Sequence, residues 1–237
     1  MGHDTIFYAL RSSLIFKNMQ HKDLMIVSNS FQKFNYQKRD VIDYAQTDRY
    51  FFVVTAGKIK MTKMDIKSGK TLALFLNCKG DVFDILPLLD GREHDVAFVV
   101  VESADVLKID IKLMRQYIRQ YNELNRAFFS YLASKIKELE EFSENIVFYD
   151  TKTRLAKLIL RGVNNGYLKE EEPIPVELVG DLTHESMAEL IGSVRSIVTT
   201  EIGNLKKEGI LIAEKGKLAI KDLEKLLEAC TILKKNE

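Results

Sequence analysis

The sequence is short of the residues that staple, break or anchor a chain. Its two cysteines, Cys78 and Cys230, stand far apart without a CxxC pair. That excludes a disulfide framework and any four-ligand zinc or iron-sulfur site made from this chain's thiols. Such cysteine usage predicts a reducing, cytoplasmic setting. With only three prolines there is no Pro-rich linker. The four histidines, at positions 3, 21, 94 and 184, are too scattered to supply the clustered ligands of a metal-dependent oxidase. No metal, no cofactor and no enzymatic activity are therefore expected. Long hydrophobic runs are missing too. The longest, such as Ala97 to Val101, fall far short of the roughly 20 residues that cross a bilayer, and no membrane partner is expected.

An excess of one charge is the last absence. The chain carries 35 Lys and Arg against 34 Asp and Glu. From residue 150 onward the count is 14 against 15, a balance of −1. A strongly basic domain is the usual electrostatic footprint of nucleic-acid binding, so a nucleic-acid function would have to rest on pattern rather than charge.

What is present fits two small domains and a connector. At 237 residues, 46% hydrophobic, the chain is long for one domain and can bury two ordinary cores. Residues 1 to 30 read as helical. From Phe34 the texture turns to short β-rich runs: Tyr50 to Thr55, Gly57 to Met64, Thr71 to Leu76, Val82 to Leu86, Val96 to Glu102 and Val106 to Asp110. Turn residues such as Ala56-Gly57, Lys79-Gly80-Asp81 and Asp90-Gly91-Arg92 separate them. Strands at this spacing predict a jelly roll or a small barrel over residues 1–110.

Residues 111–148 contain neither glycine nor proline. Leu113, Tyr117, Tyr121, Leu124, Phe128, Leu132, Ile136, Leu139, Phe142 and Ile146 recur in steps of three and four, which predicts one helix or two in tandem. The stripe could simply cover the barrel. A helix of roughly 25 residues, however, spans about 38 Å, and that length favours pairing with a second copy of itself in a homodimer, with Phe128 in the seam. Asp150 can cap the following helix, Thr151 to Arg161.

Residues 149–237 hold the most informative stretch, LTHESMAELIGSVRSIVTTEIGNLKKEGIL from Leu182 to Leu211. Thr183 is a good N-cap and Glu185 suits the first turn of a short helix whose inner face is Met187, Leu190 and Ile191. Ala188 is small where two helices meet, Gly192 permits a tight turn, and Ser193 can cap a second helix through Val194, Val198, Ile202 and Leu205. These offsets are the spacing of a helix-turn-helix. The second helix would turn Arg195, Ser196, Thr199, Thr200 and Lys206 outward, a polar face of short donors and acceptors with one long donor at its start. Ile210 to Ala213 and Leu218 to Ile220 read as a hairpin whose tip, with Lys217, could lie against a phosphate backbone as a wing.

Taken in order, GKIKMTKM at 57 to 64 with the turn to 70, KGDVF at 79 to 83, NIVFYD at 145 to 150 and LTHESMAELIGSVRSIV at 182 to 198 resemble the family of the cyclic AMP receptor protein and the fumarate and nitrate reductase regulator, the CRP/FNR family. The resemblance implies an α+β chain: an N-terminal jelly-roll β-barrel sensor, a long dimerisation helix and a C-terminal winged helix-turn-helix. It also implies a homodimer on an inverted repeat of double-stranded DNA, with RNA polymerase as a partner and a small-molecule effector in the barrel. Carried over, Thr183, His184 and Glu185 lie near phosphates, and Arg195, Ser196, Thr199 and Thr200 lie in the major groove.

The departures are as informative as the matches. Many relatives have a glutamate where this chain has Ser196, and a small or apolar residue where it has Glu201. In the sensor, a Gly-Glu pair and then Arg-Ser usually hold a cyclic nucleotide. The matching places here are Asp84 and Ile85, then His94 and Asp95, and aspartates would repel a phosphate. Where relatives set hydroxyls toward the base, this chain has Leu139 and Glu140. A signal other than cyclic AMP is the expectation, with an effector-independent regulator whose barrel is purely structural as the alternative. His94, alone in a β turn, is expected at the surface, and Cys78 is either a redox thiol or inert.

Overall fold

The computed structural model describes residues 2–42, 44–92, 94–163, 174–176, 179, 181–214 and 217–231. The turn Asn164-Asn165-Gly166, most of the acidic stretch from Lys169 to Pro175, and Lys215 and Gly216 at the hairpin tip lie outside the described residues. The chain divides into two compact units, Met1–Glu138 and Leu139–Glu237.

The first unit begins with α1 (Gly2–Arg11) and α2 (His21–Ser28), followed by β1 (Gln32–Tyr36), β2 (Val41–Ile42), α3 (Tyr44–Thr47), β3 (Tyr50–Met64), β4 (Thr71–Asn77), β5 (Val82–Phe83), α4 (Ile85–Asp90) and β6 (Ala97–Asp110). The expected runs Tyr50 to Thr55 and Gly57 to Met64 are a single strand, β3, and the two expected runs from Val96 to Asp110 are a single strand, β6. These two pair along nearly their whole length, with register shifts between Val54 and Ile59. Gly57 makes the bend possible. It takes φ +78°, and a Cβ there would stand 2.2 Å from the Ser103 carbonyl oxygen, so only glycine allows the two backbones so close.

Each end of the β3–β6 ladder recruits different partners. On one side of the bend β1 pairs with Ala104 to Lys108 of β6, and β5 with Phe52 and Val53 of β3. On the other side β2 pairs with Phe98 and Val99, and β4 with Ile59 to Met64. The two half-sheets enclose one core, since Phe52, Val54, Phe83 and Val106 cluster with Ile59, Met61, Phe98 and Val100. Alternate residues face the other way. Phe51, Val53, Leu107 and Ile109 pack with Leu10, Phe16, Leu24 and Met114 from the helices. The period of two along each strand thus sorts side chains between an inner core and a helix-covered outer one.

Two local differences from the sequence reading have simple causes. The strand expected over Val82 to Leu86 stops at Phe83, because Asp84 takes φ 54° in the left-handed region and Pro87, lacking an N–H, suits the first turn of α4 rather than a ladder. Strand β1 was not anticipated. Its sequence Gln-Lys-Phe-Asn-Tyr leaves four of five residues exposed and offers no alternation to read.

Two helices in tandem follow the sheet, α5 (Ile111–Gln120) and α6 (Asn122–Phe148), broken at Tyr121, whose backbone is extended. The expected single stripe divides in two. Tyr121, Leu124, Phe128 and Tyr131 are buried in the first unit's own outer core, so Phe128 is a core residue and not a seam residue. Phe129 and Ile136 are 64% and 58% exposed, and Leu139 is exposed as well.

The second unit contains α7 (Thr151–Arg161), β7 (Ile174–Pro175), α8 (His184–Leu190), α9 (Arg195–Lys207), β8 (Leu211–Glu214), β9 (Lys217–Ile220) and α10 (Leu223–Ala229). The strands form a small antiparallel sheet in the order β7-β9-β8. Asp150 caps α7 as expected, accepting from the Thr153 amide. No helix among the described residues is long and apolar enough to cross a membrane.

Candidate nucleic-acid interface

The interface is built on a corner between α8 and α9. Thr183 caps α8, its Oγ1 accepting from the Ser186 amide at 3.1 Å. Met187, Ala188 and Ile191 are buried, Ala188 being the small residue on the inner face of α8. Gly192 turns the chain at φ +62°, and the Ser193 amide donates back to the Ala188 carbonyl at 2.8 Å. Helix α9 then runs with Val198, Ile202 and Leu205 buried. Its cap is Val194, which makes no side-chain capping bond. The expectation that Ser193 caps this helix therefore fails: Ser193 belongs to the turn, one residue before the helical boundary.

A residue that sequence reasoning missed fixes the corner. Arg154, on α7, donates from Nη1 to the Ile191 carbonyl at 2.7 Å and from Nη2 to Thr151 Oγ1 at 3.2 Å. An arginine fork on the orphan carbonyls at the end of α8 satisfies them and ties the turn to a third helix. The only available signal was an arginine one residue after Thr153 in a helix otherwise read by its leucines.

All of the anticipated contact residues of α9 are on the surface. Arg195, Ser196, Thr199, Thr200 and Lys206 are exposed. His184 is drawn to this face, its Nδ1 sharing a hydrogen bond of 2.9 Å with Thr199 Oγ1. Burial, and then the nearby charges of Lys206 and Arg195, hold its imidazole below the ordinary histidine value. Thr183, His184, Arg195, Ser196, Thr199 and Thr200 thus gather at one end of the corner. Glu185 is exposed in the first turn of α8. Lys206 lies eleven residues beyond Arg195, about 16 Å along the axis. In the hairpin, Glu214 pairs with Lys217, and the Lys217 ammonium stands 4.0 Å from the Asp181 carboxylate.

The structure brings two of the four sensor residues together, Asp84 and His94, and separates Ile85 and Asp95 from them. Asp84 is fully buried at its side chain and bonds through Oδ1 to His94 Nδ1 at 2.9 Å. Its other oxygen, Oδ2, has no partner among the described residues. His94 is consequently not the solvated surface histidine expected from its turn. Ile85 packs toward the outer core, and Asp95 is almost fully exposed, 3.5 Å from Lys63. Within the inner core Phe52 and Phe83 stack at 4.8 Å and Phe83 meets Phe98 at 4.9 Å. Burial, with Asp81 adding to it, pushes the Cys78 thiol up to about 12, which disfavours the thiolate.

A jelly-roll barrel, a long helix and a winged helix-turn-helix in one chain define a DNA-binding transcription regulator, not an enzyme. Residues 153–229 match the Crp-like helix-turn-helix domain. Along 198 residues the chain is 31% identical to the transcriptional regulator SdrP of Thermus thermophilus, covering 82% of this chain and 92% of that protein. It is 27% identical over 178 residues to the global nitrogen regulator of Nostoc sp., covering 73% of this chain and 77% of that one. The fold superposes on FixK2 from Bradyrhizobium japonicum with a TM-score of 0.71 at 16% identity, over 85% of this chain and 98% of that one. The chain belongs to the CRP/FNR family of transcription regulators.

Proposed function

We propose that the protein acts as a homodimer that binds an inverted repeat in double-stranded DNA and acts on transcription through RNA polymerase, under a signal other than cyclic AMP. The observation that carries the reading is the corner itself: α9 is held on α8 and α7 with its N-terminal end bare and Arg195 at its start. A recognition helix meets base edges at that end. In this reading Thr183 and His184, the latter bonded to Thr199 of α9, and Lys217 in the hairpin contact phosphates.

Dimerisation is supported by the exposed face of α6. Phe129, Ile136 and Leu139 are all exposed and stand at steps of seven and three, which is the a and d spacing of a two-stranded coiled coil. A signal other than cyclic AMP is supported by charge, because a phosphodiester beside Asp84 would meet a buried carboxylate with an unpaired oxygen. The stacked Phe52, Phe83 and Phe98 favour a second reading, in which the barrel is packed solid and needs no effector.

Selection from random duplexes tests the proposal. The enriched site should be an inverted repeat with half-sites centred about 34 to 36 Å apart. Two chains should bind each duplex. Arg195→Ala should relax preference at one symmetric position if Arg195 reads a guanine edge, or weaken all sequences equally if it clamps phosphate. Failure to enrich any inverted repeat, with and without cell extract, refutes the reading.

A further inference from the structure

The face that α9 presents is less polar than its residue types imply. Thr199 Oγ1 donates to the Arg195 carbonyl at 2.9 Å, and Thr200 Oγ1 donates to the Ser196 carbonyl at 3.1 Å. Both bonds run from i to i−4 within the helix. A threonine whose hydroxyl is engaged in this way meets the outside chiefly through its γ-methyl.

Val194 and Ile197, at the same end, are each 44% exposed. Val194 occupies the cap, where Ser, Thr, Asp or Asn would accept a free amide, and it makes no such bond. One exposed apolar residue is ordinary on any surface. Here Val194, Ile197 and Thr200 follow one another at i, i+3 and i+6, so that each is the neighbour of the next along a ridge of the helix. The ridge runs beside Arg195, at the end of α9 that faces DNA in the reading above.

Only one base offers an apolar group to such a ridge. In the major groove thymine presents its 5-methyl, while the other bases present hydrogen-bonding atoms or bare C–H. Resting on the DNA-binding reading, we infer that Val194, Ile197 and Thr200 form an apolar ridge that reads thymine methyls next to the base pair met by Arg195. These apolar contacts take over specificity beside the place where relatives use the longer glutamate that Ser196 replaces. Each half-site then holds at least one thymine whose methyl, and not its hydrogen-bonding edge, is recognised.

Deoxyuridine tests this directly, because it deletes the methyl and keeps every donor and acceptor of thymine. Each thymine of both half-sites in the selected duplex is replaced in turn, and dissociation constants are measured for the full-length wild type, Val194→Ser, Ile197→Ala and Thr200→Ser. Thr200→Ser removes one methyl and keeps the hydroxyl and its back-bond, so the helix is undisturbed. At one or more thymines per half-site the wild type should bind about fourfold more weakly, the effect of one buried methyl, and the variant that has lost the contact should show less than about twofold. Selected half-sites without thymine, deoxyuridine tolerated at every position, or a penalty unchanged in all three variants would each overturn the inference alone. Failure to select any duplex would remove the DNA-binding reading and this inference with it.

Discussion

Replacing Ile136 with aspartate separates a dimer seam from a monomer core. Ile136 is 58% exposed, so about half of its side chain is free to be buried by a partner. Full burial of an isoleucine is worth roughly 1.5 to 3 kcal/mol, and the exposed share of that is about 1 to 2 kcal/mol. A two-fold interface contains the contact twice, so Ile136→Asp should remove about 2 to 4 kcal/mol of association free energy, which raises the dimer dissociation constant roughly 30- to 700-fold. Two carboxylates facing each other across the axis add to that cost. Phe128→Asp, about two turns earlier on the same helix but on the buried face, should do something different. It replaces a core ring whose loss alone costs about 3 to 5 kcal/mol and buries a charge without a partner, so it should unfold the first unit at lower denaturant. Sedimentation equilibrium over a concentration series reads the association constant, and urea unfolding followed by circular dichroism reads the stability. A wild type that sediments as a concentration-independent monomer would refute the reasoning. So would an Ile136→Asp protein that dimerises as tightly as the wild type, or a Phe128→Asp protein that dissociates with undiminished stability.

Glycine positions offer a comparison in the first unit. Gly57→Ala places a methyl 2.2 Å from the Ser103 carbonyl in addition to the roughly 1 to 2 kcal/mol of a left-handed backbone, and should cost well over about 3 kcal/mol. Gly69→Ala has the same sign of φ and nothing within 4 Å, so it should cost only about 1 kcal/mol; equal losses of thermal stability for the two would show that contact at the β3–β6 bend is irrelevant. His184 predicts a pH dependence. Its folded pKa lies below the unfolded value of 6.5 because of burial, Lys206 and Arg195, so the unfolded chain takes up the proton first as the pH falls. The stability it contributes is complete above about 6.5 and is lost as the pH drops from there through the lower folded value. The difference in unfolding free energy between His184→Gln and wild type should therefore vary across that window, and a flat difference would show that His184 is not linked to folding. DNA binding should respond in the opposite sense if His184 lies by a phosphate, tightening as the ring protonates.

Local pattern carried the fold wherever one residue type has one physical use. Gly192, Thr183 and Asp150 could be placed from sequence because a tight turn and two caps each demand a narrow choice of residue, and the structure uses all three as read. Periodicity carried less. The steps of three and four through residues 111–148 are the same whether a helix covers its own barrel or a partner, and only the packing shows that Tyr121, Leu124 and Phe128 serve the first purpose while Ile136 and Leu139 remain free. Strand β1 was invisible since its one buried residue, Tyr36, gives no alternation, and the merging of four expected runs into β3 and β6 depends on a backbone approach at Gly57 that no side-chain pattern encodes.

The site was legible in its membership and not in its chemistry. Arg195, Ser196, Thr199 and Thr200 were placed outward by helical spacing alone, and they are outward. Residue type, however, states only what a side chain is able to do; the backbone around it decides what remains to be done. The hydroxyls of Thr199 and Thr200 are bonded to carbonyls four residues back, so two residues that read as donors and acceptors present chiefly their methyl groups. Arg154 makes the same point from the other side. In the sequence it is one more charge on an amphipathic helix, yet it is the group that holds the carbonyl of Ile191 at 2.7 Å and with it the angle at which α9 leaves the turn. On the proposed reading, specificity in this corner would rest on two layers: apolar and forked contacts at the tip of α9, and a half-buried guanidinium that ties down the turn before that tip.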